Sequence, residues 1–242
     1  MSAKTFLLLV LLFIAGAFAY LKIQAAGSPD SEFNRTTRYR LGQSQFVRSI
    51  LNLHRAGDAQ QWYANGSSAL VVEVVQAKGN SVDDRVIADF AEKIGALLHR
   101  PVTVYNTEKI PEGALNDESL AKVSSEFRRH VLFGQPNLFV VYAEDLTNSD
   151  NQAARTFEEY GIALSAKKIS DLTAGQPQAL ADVQRHLLLH EFGHQLGLIH
   201  SDSPVCVMHP QTESLSRPVA LNGKYAVLDF CSQELQQLSK LQ

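Results

Sequence analysis

The stretch His190-Glu191-Phe192-Gly193-His194-Gln195-Leu196-Gly197-Leu198-Ile199-His200 decides how this chain is read. Two histidines four residues apart on a helix lie about 40° apart around its axis and about 6 Å apart along it. Both imidazoles can then reach one metal ion at about 2.0–2.1 Å. Glu191 follows the first of them, where a carboxylate can lie beside the metal's water without being a ligand. Continued helix would carry His200 about 240° round from His194, onto the wrong face. The helix must therefore stop. Gly197 stands where that stop is needed, because glycine enters the left-handed conformation without a Cβ penalty. His190, His194 and His200 as three protein ligands leave a fourth position for water, the arrangement of a catalytic zinc and not of a closed structural one.

Downstream comes Pro204-Val205-Cys206-Val207-Met208-His209-Pro210. With that methionine, the chain resembles the metzincin zinc metallopeptidases. The short interval from His200 to Met208 is similar to that of the archaemetzincin branch. The resemblance implies an α+β fold: a zincin-like catalytic domain with a twisted mixed sheet, an active-site helix over about residues 176–196 and a small C-terminal subdomain. It also implies a Met-turn at about residues 204–210, with Met208 as a hydrophobic floor beneath one catalytic zinc ion. Glu191 would act as general base in the hydrolysis of a peptide or protein substrate.

Archaemetzincins follow the third histidine with Cys-x4-Cys-x-Met and later Cys-x-x-Cys, which bind a second zinc. Here Ser201 takes the first cysteine position and Glu234 the fourth, leaving Cys206 and Cys231. Two thiols cannot supply a four-cysteine site. A single zinc is expected, with a disulfide between Cys206 and Cys231 in place of the second. Such a bond closes a loop of about 25 residues and contributes on the order of 3 kcal/mol; two free buried thiols are the alternative. His209 resembles the astacin-type Met-His-Tyr sequence, but Pro210 offers no phenol as a further ligand. His186, one turn before His190, is expected to be structural.

Residues Thr5 to Leu21, TFLLLVLLFIAGAFAYL, form an apolar run between Lys4 and Lys22. Its length is near the lower limit for a membrane span. Ala17-Phe18-Ala19 also suits a signal-peptide cleavage site. Residues 1–23 are thus either signal peptide or membrane anchor, and the domain is expected to be exported, as a disulfide requires. The excess of Lys22, Arg35, Arg38 and Arg40 after the run points weakly the other way. Residues 24–40 read as a polar linker, and 41–242 as the catalytic domain. Leu41 to Ala56 has helical spacing, with Phe46, Ile50 and Leu53 on one stripe. No cysteine precedes the histidine motif, so a pro-segment thiol cannot cap the metal.

The chain of 242 residues is 45% hydrophobic with a net charge of −3, which favours one substantial core and no nucleic-acid surface. Arg128-Arg129-His130 reads as a solvated helix face. Asn34-Arg35-Thr36 and Asn65-Gly66-Ser67 fit the glycosylation pattern. Strands are expected over Ala69–Val75, Val102–Tyr105, Leu138–Tyr142 and Tyr160–Ala166, and helices over Val82–His99 and Asp117–Leu132. Residues 147–158 read as a polar loop, and Tyr225–Phe230 as an extended segment before a helix from Ser232. By the same resemblance, Tyr160–Ala166 is the candidate strand bordering the cleft, with an ordinary interior strand as the alternative. Two other functions fit the motif: a zinc-binding, non-catalytic envelope protein, and an amidase acting on a cell-wall peptide link. Oligomeric state leaves no signature.

Overall fold

Apolar residues alternate along Asn137–Ala143 so that Leu138, Val140 and Tyr142 face one side and Phe139, Val141 and Ala143 the other. A strand buried on both faces must lie inside a sheet covered by helices. The computed structural model, which describes residues 2–27, 31–42, 44–65, 68–131, 135–147, 152–174, 176–210 and 226–240, has that architecture.

The chain opens with α1 (Ala3–Ala26), a π-helical turn (Phe33–Thr37) and three short helices, α2 (Arg38–Leu41), α3 (Gln45–Leu51) and α4 (Gln60–Asn65). Strand β1 (Leu70–Ala77) crosses through α5 (Asp84–Leu98) to β2 (Val102–Ile110). Then come β3 (Ala114–Leu115), α6 (Asp117–Phe127), β4 (Asn137–Ala143), β5 (Asp145–Leu146), β6 (Ala154–Phe157) and β7 (Gly161–Ser165). Helix α7 (Ala166–Leu172) leads through a 3-10 turn (Pro177–Ala179) to α8 (Leu180–Gln195), and α9 (Ser232–Leu238) follows. The main sheet has the order β2-β1-β4-β7-β6, with only β6 antiparallel; β3 and β5 make a separate parallel pair. Helices α5 and α8 cover one face through Phe90, Ile94, Leu187 and Phe192, while α6 covers the other with Leu120 and Val123.

Several sequence expectations are corrected. Strand β7 is interior, between β4 and β6, so Tyr160–Ala166 does not border the cleft. The edge strand beside β7 is β6, inside the segment expected to be a loop. Helix α6 stops at Phe127, because the next backbone groups have other partners. The Arg129 and His130 N–H groups donate to the buried Glu73 carboxylate at 3.0–3.2 Å. Arg128-Arg129-His130 is therefore no solvated helix face: Arg128 lies 3.5 Å over the Tyr160 ring, and the His130 ring stacks on Tyr105. Leu41–Ala56 is not one helix, since Asn52 ends α3 in the left-handed conformation with φ 58°. Phe46 is 73% exposed, and the buried face belongs to Leu51 and Leu53. The stretch expected as a linker holds the end of α1 and two helical turns. Residues 226–230 form neither helix nor strand; Tyr225 and Leu132 lie outside the described residues.

Candidate active site

Helix α8 is buried on nearly every side from Val183 to Gln195. It carries His190, Glu191 and His194. Its end is a Schellman turn: Leu198 N–H donates to the Gly193 carbonyl and Gly197 N–H to that of His194, both at 2.9 Å. Gly197 supplies the left-handed residue, with φ +80°. The chain then folds back and brings in His200. The three ring centroids lie 4.9–5.4 Å apart, and one nitrogen from each ring lies within 4.8 Å of the others.

Backbone carbonyls orient two of the rings. His190 Nδ1 lies 2.7 Å from the Val207 oxygen, and His194 Nδ1 3.0 Å from the Leu198 oxygen. Each Nδ1 therefore carries the proton, and Nε2 carries the lone pair. The turn that ends the helix thus also orients one of its histidines. His200, Glu191 and His194 open onto a cleft of about 380 Å³ bordered by Thr156 of β6 and by Ala56. Three imidazoles around an open side, with one ring fully buried, suit zinc.

Met208 is buried, and its sulfur fills the space over Gly193, where a Cβ would lie 2.3 Å from Sδ. Cys206 and Cys231 are bonded to each other, with Cα atoms 4.9 Å apart. Bonded sulfurs carry no thiolate for a metal. Glu234, read in the sequence only as a missing cysteine, is 2% exposed. Its carboxylate accepts from the N–H groups of Met208 at 2.7 Å, Cys231 at 2.8 Å and Val207 at 3.3 Å. The Val207–Met208 peptide therefore links Glu234, through the Met208 N–H, to His190, through the Val207 carbonyl.

His186 stands outside the group of three. Its Nδ1 lies 2.6 Å from the Val227 oxygen, and burial pushes its pKa down to about 4, so it is neutral at pH 7. His209 is also outside the group. Sequence reasoning missed two further elements. Gln195 donates to the carbonyls of Gly161 at 2.8 Å and Glu158 at 3.2 Å, tying α8 to the β6–β7 turn. Gly57 (φ +86°) packs against Gly197 so closely that a Cβ would lie 3.2 Å from the Gly197 Cα. Gly197 inside the histidine motif and Gly57 beside the buried Asp58 gave no signal that they meet.

The matrixin family model of the M10 peptidases matches residues 112–223, which include all three histidines. In structure, the chain is similar to the archaemetzincin of Methanopyrus kandleri, with a TM-score of 0.52 and 16% identity over 73% of this chain and 97% of that one. The domain is metzincin-like. It is a zinc metallopeptidase with a mixed α/β, zincin-type fold. A zinc-dependent peptidase from Methanocorpusculum labreanum gives 16% identity over 69% of this chain and 99% of that one, with a TM-score of 0.47. The malonate complex of archaemetzincin from Archaeoglobus fulgidus gives 15% identity over the same shares, with a TM-score of 0.42. No curated protein matches the chain by sequence.

Proposed function

We propose that this metzincin-like peptidase works with one zinc ion held by His190, His194 and His200, with Glu191 as its general base. Convergence of the three imidazoles beside Glu191 in an open cleft carries the reading. Zinc, when bound, supplies the Lewis acidity that activates water near neutral pH and draws charge from the scissile carbonyl. Glu191 takes the proton of the attacking water and returns it to the leaving amine. The Val207 and Leu198 carbonyls keep His190 and His194 in the tautomer a metal needs. The outer edge of β6 pairs with an extended peptide, giving affinity with little side-chain selectivity.

A non-catalytic zinc binder has no use for a carboxylate at the position of Glu191, so the catalytic reading is favoured. The disulfide supports a domain that works outside the cytoplasm. The test is metal content followed by digestion of a mixed peptide library with and without a chelator. Chelator-sensitive cleavage at one zinc per chain is expected. A zinc-loaded chain that cuts no peptide would exclude the peptidase reading and favour the binding one.

A further inference from the structure

Helix α1 runs 24 residues, about 36 Å at 1.5 Å per residue, against a hydrocarbon core of about 30 Å. Phe6, Leu9, Phe13 and Ile14 are all exposed, Phe13 by 78%. A helix packed along a domain would be apolar on one stripe; this one is apolar all round. Exposed Tyr20 and Lys22 then mark a boundary.

Past that boundary the helix changes character. Ala25 is buried with Leu51 and Leu53. The last carbonyls, which every helix end leaves without intrahelical donors, are taken up by side chains of the domain. Asn34 Nδ2 donates to the carbonyls of Gln24 at 3.4 Å and Gly27 at 3.2 Å. Arg55 donates to those of Ala26 and Gly27 at 3.4 Å, and Arg38 to that of Ala25. Asn34, whose sequence fits a glycosylation site, thus uses as a cap the nitrogen a glycan would occupy.

The cap continues into the catalytic domain. Arg38 pairs with Asp58 through two 2.6 Å contacts, and Asp58 accepts from Arg55 N–H at 2.8 Å. Residue 56, one backbone step of about 3.8 Å from Arg55, lines the catalytic cleft. Cleavage after Ala19 would leave the capped segment as barely two turns at a free terminus, too short to hold helical form by itself.

We infer that α1 is retained as a transmembrane anchor in a phospholipid bilayer, and that its docked inner end holds the catalytic cleft at the bilayer surface. The substrates are then membrane-proximal segments of polypeptides, a conclusion that rests on the peptidase reading. The test uses the full zinc-loaded chain in phosphatidylcholine–phosphatidylglycerol vesicles. One peptide is supplied free, or linked to lipid through helical EAAAK-type spacers of about 5 or about 40 residues, the longer holding it about 60 Å away. Three results are expected: a mass that retains residues 1–27, resistance to carbonate washing, and at least about tenfold faster cleavage of the short-spacer peptide. Inserting a flexible Gly/Ser segment of about 20 residues at position 29, together with Asn34→Ala and Arg55→Ala, should abolish that ratio while leaving cleavage of the free peptide unchanged. A chain that has lost residues 1–19, is released by carbonate, or cuts both lipid-linked peptides equally would overturn the inference. A chain that stays in vesicles with residues 1–27 intact but cuts neither linked nor free peptide sinks the peptidase reading, and with it the substrate half, while the anchor stands.

Discussion

The end of the catalytic helix is braced from two sides, and the two braces are built from different materials. On the Met-turn side stand a disulfide, a buried carboxylate with three N–H donors, and a backbone carbonyl that ends on His190. On the N-terminal side, Gly57 lies against Gly197, backed by the buried Arg38–Asp58 pair. The first brace fixes the direction of the His190 ring. The second fixes the space in which the helix can turn, and joins that turn to α1. The orientation of His190 and the docking of α1 are thus carried by separate contacts.

Substitutions can separate the two braces. Glu234→Ala should have the largest effect. It leaves two buried N–H groups and one part-buried one without their acceptor, for a loss of about 3–5 kcal/mol, and loosens the Val207 carbonyl. Zinc affinity should fall about 10–100-fold, read by competition with a chelating dye, and Glu234→Gln should fall between the two. An unchanged zinc affinity in Glu234→Ala would mean that the Val207 carbonyl is held by something else. Replacing both cysteines with serine should lower stability by about 3 kcal/mol in denaturant melts. An equal midpoint for that variant and the oxidised parent would contradict the covalent half of the brace.

On the other side, Gly57→Ala should cost about 1–2 kcal/mol, from a positive φ and a crowded backbone contact. Its zinc affinity should be unchanged, and a drop like that of Glu234→Ala would erase the distinction between the braces.

Glu73 provides the smallest effect and a control remote from both braces. Burial would raise its pKa, but the hydrogen bonds from Arg129, His130 and Asn137 outweigh burial and hold it below its ordinary value. The folded state therefore binds fewer protons than the unfolded one. That stabilisation is present above the unfolded pKa of about 4.3 and is lost as pH falls through the folded value. Glu73→Gln should flatten the acid limb of stability against pH, measured by melting without zinc; an unchanged limb would exclude this source of acid sensitivity.

How much of this was legible in the sequence follows from contact range. His190, Glu191 and His194 lie within one helical turn, and Gly197 states its own purpose, so the motif gives the local geometry directly. Met208 and the two cysteines became readable only through resemblance. Glu234 was visible merely as a departure, because nothing local tells a carboxylate to collect N–H groups about 26 residues away. The four residues of β6 hid in a polar segment because their strand character comes from pairing with β7. Phe46 misled the reading of the N-terminal segment, since helical spacing shows a stripe but not which side of it meets the domain.

The central claim is that Glu191 moves the proton in a zinc site built by three histidines. The direct measurement compares the wild-type chain with Glu191→Gln, recording bound zinc per chain and kcat/KM on one cleaved peptide. The account predicts one zinc in both proteins and a kcat/KM about 10²–10⁴-fold lower in the variant. Near wild-type turnover in Glu191→Gln, with zinc still bound, would contradict it.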